Sequence, residues 1–337
     1  MKVAAGCILF LFAVPHWTIQ NSGVTARLRG VSAVSERVAW ASGSGSTVLR
    51  TIDGGLTWQK LSVTTEVLDF RDIDAIDSET AYVLAAGNGP ASRIYKTTDA
   101  GKTWNMQFKT EDPKVFLDAM SFWDADHGVA FGDSVNGQFY ILITKDGGRV
   151  WSRVAANKLP PALENEGAFA ASGTNIALFG KSHAWIGTGA ATKSRVLRTA
   201  DGGQTWQVSD TPLTSGPSAG IFSIAFHDTK HGVIVGGDYK KEQEAVNNLA
   251  VTNDSGITWT LVKDLSGFRS VVAYVPNAKT PTLIALGPSG GDYSTDDGRT
   301  WNPLTGPGFD TFSFAHNSST GWGAGAKGSI GRLTFTK

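Results

Sequence analysis

The sequence predicts an all-β chain folded as a seven-bladed β-propeller of four-stranded antiparallel blades. Three observations carry this expectation. A short motif, [S/T]-x-D-x-G-x-[T/V]-W, recurs six times; the stretch around each copy reads as four short strands; the two chain ends hold one more set of strands without a motif. The copies are TIDGGLTW (51–58), TTDAGKTW (97–104), TKDGGRVW (144–151), TADGGQTW (199–206), TNDSGITW (252–259) and STDDGRTW (294–301). Their tryptophans follow one another at 46, 47, 55, 53 and 42 residues. A period in that range marks one supersecondary unit that buries its faces against copies of itself.

The unit is clearest in FLDAMSFWDADHGVAFGDSVNGQFYILITKDGGRVWSRV (116–154). AMSFW, HGVAFG and FYILIT read as strands one to three, and VWSRV as the fourth after the turn KDGG. Short polar joins such as ADH and KDGG pair neighbouring strands as antiparallel hairpins. In the motif the aspartate accepts hydrogen bonds from backbone and from the Ser/Thr hydroxyls beside it, glycine supplies a positive φ, and tryptophan starts the outer strand. This string resembles the Asp-box, or BNR repeat, of sialidases and related propellers. Asp53, Asp99, Asp146, Asp201, Asp254 and Asp296 are expected as six copies of a structural turn. Ring symmetry spaces them around a rim, too far apart to act as one acid cluster or metal site.

Six motifs do not mean six blades. FDTFSFAHNSSTGWGAGAKGSIGRLTF (309–335) reads as three further strands with no motif and no fourth strand. HWTIQNSG (16–23) reads as a fourth strand without a sheet, with Trp17 in place of the missing motif tryptophan. The N-terminal strand is therefore expected to complete the last blade and remove its open edge.

The remaining composition mostly excludes. Thirty basic and thirty acidic residues leave no bulk charge that nucleic acid or an anionic membrane would select. Glycine, 40 of 337 residues, suits many short strands joined by many turns. MKVAAGCILFLFAV reads as the apolar core of an export signal over residues 1–15, leaving a single domain over 16–337 in the periplasm or outside the cell. Cys7, the one cysteine, falls within that leader, so no disulfide or cysteine metal site is expected. No cofactor and no metal are expected. GAGAKG (323–328) satisfies G-x-G-x-x-G but lacks the following helix, and His127 and His231 sit at the same hairpin turn of two repeats, where they read as turn residues.

Strand alternation sends the motifs to one face and the joins between strands two and three to the other. On that second face the joins are irregular: GNGPAS, GDSVNGQ and GGDYKKEQEAVNN within blades, and NKLPPALENEGAF between blades three and four. Variable loops on a rigid scaffold are where binding residues concentrate. Counting six residues back from the turn that ends each first strand places Arg29, Arg71, Asp118 and Phe222 at one equivalent position, with Arg269 as the expected blade-six counterpart. Glu166 is expected just before the first strand of blade four. With Asp133, Asp238 and Tyr239 these residues are expected to ring the channel mouth as a charged funnel. Arginine forks there suit carboxylates and phosphates.

Two resemblances set the functional expectation. The sialidase likeness implies Arg29, Arg71 and Arg269 as a substrate-binding triad, Tyr239 as nucleophile, Glu166 as its partner and Asp118 as acid. That family's Arg-Ile-Pro is absent, since the chain here reads RLRGVSAV. The other likeness covers almost the whole domain. RLRGVSAVSERVAWASGSGSTVLRTIDGGLTW, with its R-T-x-D-G-G-x-T-W rhythm, resembles the repeat of the photosystem II assembly/stability factor family. It implies a seven-bladed exported propeller, lumenal in a photosynthetic host, that binds a membrane-protein intermediate and catalyses nothing. The expectation is a monomeric, non-catalytic propeller that binds a protein partner or an anionic or carbohydrate ligand; the alternative is a sialidase-like glycoside hydrolase.

Overall fold

The computed structural model describes residues 14–263 and 265–336; apart from Val14 and Pro15, the expected leader lies outside them. Seven four-stranded antiparallel sheets form the ring. Blades one to six span 28–61, 70–109, 117–153, 176–210, 219–261 and 271–304, each in sequence order from the channel outward. The seventh combines Thr311–Phe314, Gly321–Ala324 and Ile330–Thr336 with an outer strand, Val14–Gln20, from the opposite end of the chain. This closing strand pairs in unbroken register from Val14↔Thr336 to Gln20↔Ile330. Trp17 packs on Phe309 at 4.9 Å and edge-on to Phe312 at 6.0 Å. Gly306 makes room for it, since a Cβ there would stand 2.5 Å from the indole.

The core lies between blades. Seven apolar clusters are found among the described residues, and each draws on two neighbouring sheets. The cluster joining blades seven and one, for example, packs Trp322 and Ile330 against Leu28, Ala41 and Leu49. Near the channel, side chains of one innermost strand accept backbone N–H groups of the next. Ser32 takes Ala75 N at 3.0 Å, Asp72 takes Met120 N at 2.8 Å, Ser223 takes Val272 N at 3.0 Å and Ser313 takes Ala33 N at 3.2 Å. Without such acceptors these buried N–H groups would lose the hydrogen bonds that water gives them in the unfolded chain.

All six motif turns share one network. In the fourth, Thr199 donates to Asp201 Oδ1 at 2.8 Å and accepts Gly203 N, while Asp201 also accepts Thr205 N at 3.0 Å and Thr205 Oγ1 at 2.6 Å. The third turn lacks the last bond because Val150 stands where the others have threonine. Hydrogen bonds to Thr57 hold the Asp53 carboxyl down at about 2, and those to Thr103 do the same for Asp99.

Two connections differ from the sequence reading. GDSVNGQ is largely strand: Gly128–Val135 and Gln138–Thr144 leave a two-residue turn at Asn136 (φ 55°) and Gly137 (φ 77°). Successive positive φ angles on Asn-Gly match the twist of a tight hairpin, so the strands extend rather than loop out. In blade four the first strand is Ile176–Phe179, ten residues beyond Glu166, and the segment between runs along the channel mouth.

Removing residues 14–20 leaves Ile330–Thr336 as an exposed edge, so a sharp fall in melting temperature and concentration-dependent association are expected. A melting curve equal to that of the intact chain would disprove closure by this strand. Asp201→Ala is expected to cost on the order of 1–3 kcal/mol, for the loss of a multiply bonded turn acceptor. Val150→Thr supplies the missing hydroxyl and should raise the melting temperature; both are read by thermal and urea unfolding.

Candidate functional site: the channel mouth

β-Bulges build the site. In blade one the pairing passes from Leu28↔Gly43 to Gly30↔Ser42, so Arg29 has no partner across the strand. The same skip isolates Arg71 between Phe70 and Asp72, Asp118 between Leu117 and Ala119, and Phe222 between Ile221 and Ser223. A bulged residue escapes the regular alternation and can be re-aimed. All four line one cavity of about 490 Å³ at the channel mouth. A shallower depression of about 680 Å³ beside residues 21–26 carries Lys60 as its one charged lining residue and none of the candidates.

One side of the mouth is cationic. Arg27 forms a two-pronged pair with Asp310, with both contacts at 2.8 Å. Arg71 is held by Asp69 Oδ2 at 2.6 Å and by the carbonyl of Ala170 at 2.9 Å. Arg29 sits between them, and its guanidinium makes no hydrogen bond with any described residue. Burial, then the charges of Arg71 and Arg27, lower its guanidinium to about 10. It therefore remains charged at neutral pH while lacking the partner that a part-buried cation needs.

The opposite side is aromatic. Phe169 and Phe222 stack at 4.0 Å, Phe268 meets Phe222 edge-on at 4.6 Å, and Tyr239 leans on the stack at 6.2 Å. Phe222 and Phe268 are buried behind this wall, and Tyr239, 44% exposed, with the part-exposed Phe169 presents its open surface.

Four carboxylates line the mouth: Asp310 on Arg27, Glu242, whose charge also reaches Arg27, and the neighbouring pair Asp118 and Asp133. Asp118 is 1% exposed, and its Oδ2 has no hydrogen-bond partner among the described residues. Burial, then the neighbouring Asp133, pushes the Asp118 carboxyl well above its usual range. Burial raises Asp133 to about 6, against the pull of the Ala168 N–H. The two carboxyls titrate as a pair, each holding the other's proton more tightly.

Three candidates lie elsewhere. Arg269 is 2% exposed and turned into the fold, with Nε on Asp292 at 2.8 Å and Nη1 on the Phe268 carbonyl at 2.8 Å. The backbone bonds His227 N→His231 O and Val275 N→Thr282 O align blades five and six, so Ser270, which does line the mouth, is the counterpart of Phe222. Arg269 stands six residues before Val275 where the shared position stands five before the turn, and one residue reverses the side chain's direction. Glu166 is buried and bound by Arg195 through both oxygens, by Thr188 Oγ1 at 2.7 Å and by Leu163 N at 2.8 Å. These contacts fill the roughly four acceptor sites of a carboxylate. Asp238 ends the strand Gly232–Asp238 and accepts Lys240 N at 3.0 Å within a turn. The sequence reading omitted Asp310, although the same six-residue count, taken back from His316, reaches it.

No family model matches the chain, and no curated protein matches it. Solved structures do. YCF48 from Cyanidioschyzon merolae superposes with a TM-score of 0.67 at 17% identity, over 95% of this chain and 98% of that one. A structure described as YCF48 bound to D1 peptide gives 0.66 at 17%, over 95% and 97%. A streptogramin B lyase gives 0.67 at 14%, over 96% and 98%. At these identities the likeness shows the propeller fold alone.

The raised carboxyls set a pH dependence. A carboxyl with a raised folded-state value binds its proton more tightly folded than unfolded. Its contribution to stability is full below about pH 4 and is lost as pH rises through about 6 for Asp133. Asp74, raised to about 6, and Asp72, raised to about 8, both by burial, add slopes of the same sign. Asp133→Asn should flatten the decline in urea midpoint between pH 5 and pH 8. An unchanged slope would show that the pair is not coupled as described.

Proposed function

We propose that this chain is a non-catalytic binding propeller whose mouth takes a carboxylate-bearing segment of a protein partner. The carboxylate sits on Arg29 and an apolar side chain lies on Phe169 and Tyr239, which Phe222 backs. The observation that carries this reading is Arg29: a charged, part-buried guanidinium between two other arginines, with its hydrogen-bond donors open to the cavity. A planar carboxylate answers the arginine fork with two charge-assisted bonds. The facing aromatic wall favours a ligand with an apolar group close to that charge, as at a peptide C-terminus. A structure of the same fold described as bound to a peptide supports a peptide as occupant. With an export signal over residues 1–15, the setting we propose is outside the cytoplasm, as an assembly or stability factor for a membrane-protein complex.

A hydrolase is the second reading, and the buried Asp118 with its unpartnered Oδ2 favours it, because a carboxyl kept protonated can deliver a proton. The nucleophile it needs has little support. Glu166, expected to activate Tyr239, has its acceptor sites filled by Arg195, Thr188 and Leu163.

The test uses a labelled peptide ending in phenylalanine with a free carboxylate, beside its C-terminal amide. Binding is expected for the acid, weakened at least tenfold by amidation, by Arg29→Ala or by Tyr239→Ala, and weakened further by salt. Equal binding of acid and amide, or no effect of Arg29→Ala, would refute the carboxylate role. Turnover of aryl glycosides or sialosides that disappears in a folded Asp118→Asn variant would replace this reading with the hydrolase.

A further inference from the structure

On the face that carries the motif turns, two departures from the repeat pattern meet. The residue that opens the first hairpin turn of a blade is apolar in five of them: Val34, Ile76, Trp123, Val275 and Ala315, each donating its N–H back across the turn. In blade five that residue is His227, whose N–H bonds to the carbonyl of His231. The second departure lies in the motif. The residue after the motif aspartate has positive φ in every copy and is small in five: Gly54, Ala100, Gly147, Gly202 and Ser255. In blade six it is Asp297 at φ 64°, a charged residue where the other copies carry a hydrogen, a methyl or a hydroxymethyl group.

These two residues touch. His227 Nε2 lies 3.3 Å from Asp297 Oδ1, and Tyr274 OH holds that same oxygen at 2.8 Å. The other ring nitrogen, Nδ1, faces Asp228 Oδ2 at 3.8 Å, and Asp228 Oδ2 is 2.8 Å from His231 Nδ1. Donor atoms of His227, Asp228 and His231 all fall within 4.8 Å of one another. The rings of His227 and His231 lie parallel, with centroids 5.4 Å apart. Blade three supplies an internal contrast. Its turn has the same Asp124–His127 contact at 2.9 Å, but Trp123 occupies the place of the second histidine. An aspartate and a histidine suffice for the turn; the extra histidine and the extra carboxylate serve something else.

We infer that His227, Asp228 and His231 form a binding site for a divalent first-row transition metal of the zinc class, with Asp297 as a positioning residue behind His227. Two imidazoles and a carboxylate are a borderline-soft donor set that suits zinc and its neighbours, and three protein ligands leave a position for water. Bonds of about 2.0–2.2 Å bring tetrahedral donors to about 3.3 Å apart, so the part-exposed rings need move by only about an ångström. A carboxylate on the far nitrogen of a ligating histidine fixes its orientation and raises its basicity; Asp297 Oδ1, 3.3 Å from an Nε2 that has no hydrogen-bond partner, is placed to take that role once the ring turns onto the ion. The site spans blades five and six on the face away from the mouth, so it stands independently of the proposed ligand there.

The experiment titrates the purified, metal-stripped chain with Zn²⁺ by calorimetry, and with Co²⁺ by visible absorption. Expected are one ion per chain, a rise in melting temperature on saturation, and cobalt bands of a tetrahedral or five-coordinate centre. His227→Val, which installs the residue found in blades one and six, should abolish binding. Asp297→Gly, which installs the residue found in blades one, three and four, should weaken it 10- to 100-fold. His127→Ala should leave it unchanged. No zinc binding by the wild-type chain at 100-fold molar excess overturns the inference, as does equal affinity in the wild type and His227→Val.

Discussion

Everything in this protein depends on the ring being closed by residues far apart in the chain. A four-stranded sheet of this kind has two apolar faces and cannot stand alone, and a row of such sheets would leave an unpaired edge and two bare faces at its ends. The pairing of Val14–Gln20 with Ile330–Thr336 removes that edge, and the cluster of Leu28, Trp322 and Ile330 covers the last two faces. With the circuit complete, all seven inter-blade cores stabilise one another, and the innermost strands are held at a fixed distance from the axis.

That rigidity allows an unusual distribution of charge. Asp72 lies near the centre of the ring and accepts Met120 N of the neighbouring blade, although burial pushes its carboxyl up to about 8. Serines do comparable work at other junctions, at no such electrostatic cost. The mouth goes further: a cation without a hydrogen-bond partner, a carboxyl oxygen without one, and an open aromatic wall share one cavity. Unsatisfied polar groups of this kind are unfavourable for the free protein and favourable for recognition, because a ligand can supply the missing partners.

The bulges connect architecture to site. A regular innermost strand would alternate its side chains between the two neighbouring inter-blade layers. One extra residue per strand breaks that alternation near the mouth, and the unopposed position carries Arg29, Arg71, Asp118 and Phe222 in four blades. The scaffold repeats while this position varies, so recognition can change without disturbing the core. Departures from repetition likewise mark the opposite face, where His227 and Asp297 replace residues that are small or apolar in the other copies.

The sequence by itself determined the repeating unit, the number of blades, the closing strand and the face on which the irregular loops gather. These follow from local chemistry: a turn that needs aspartate, glycine and a hydroxyl in fixed order, and strand alternation that counts in twos. It also placed Arg29, Arg71, Asp118, Asp133 and Tyr239 together, because a repeat carries one position's geometry to the next. Tertiary structure alone decided which charges remain available. Glu166 and Arg269 read like Arg29 as isolated charges, yet their partners, Arg195 and Asp292, lie 29 and 23 residues away and meet them only in the folded ring. A one-residue offset from the turn-opening Val275 separated Ser270 from Arg269, and Asp297 came to face His227 only when blade six was laid beside blade five. Pairing of charges distant in the chain depends on how strands and connections are laid side by side in the fold, which no local pattern of residues encodes.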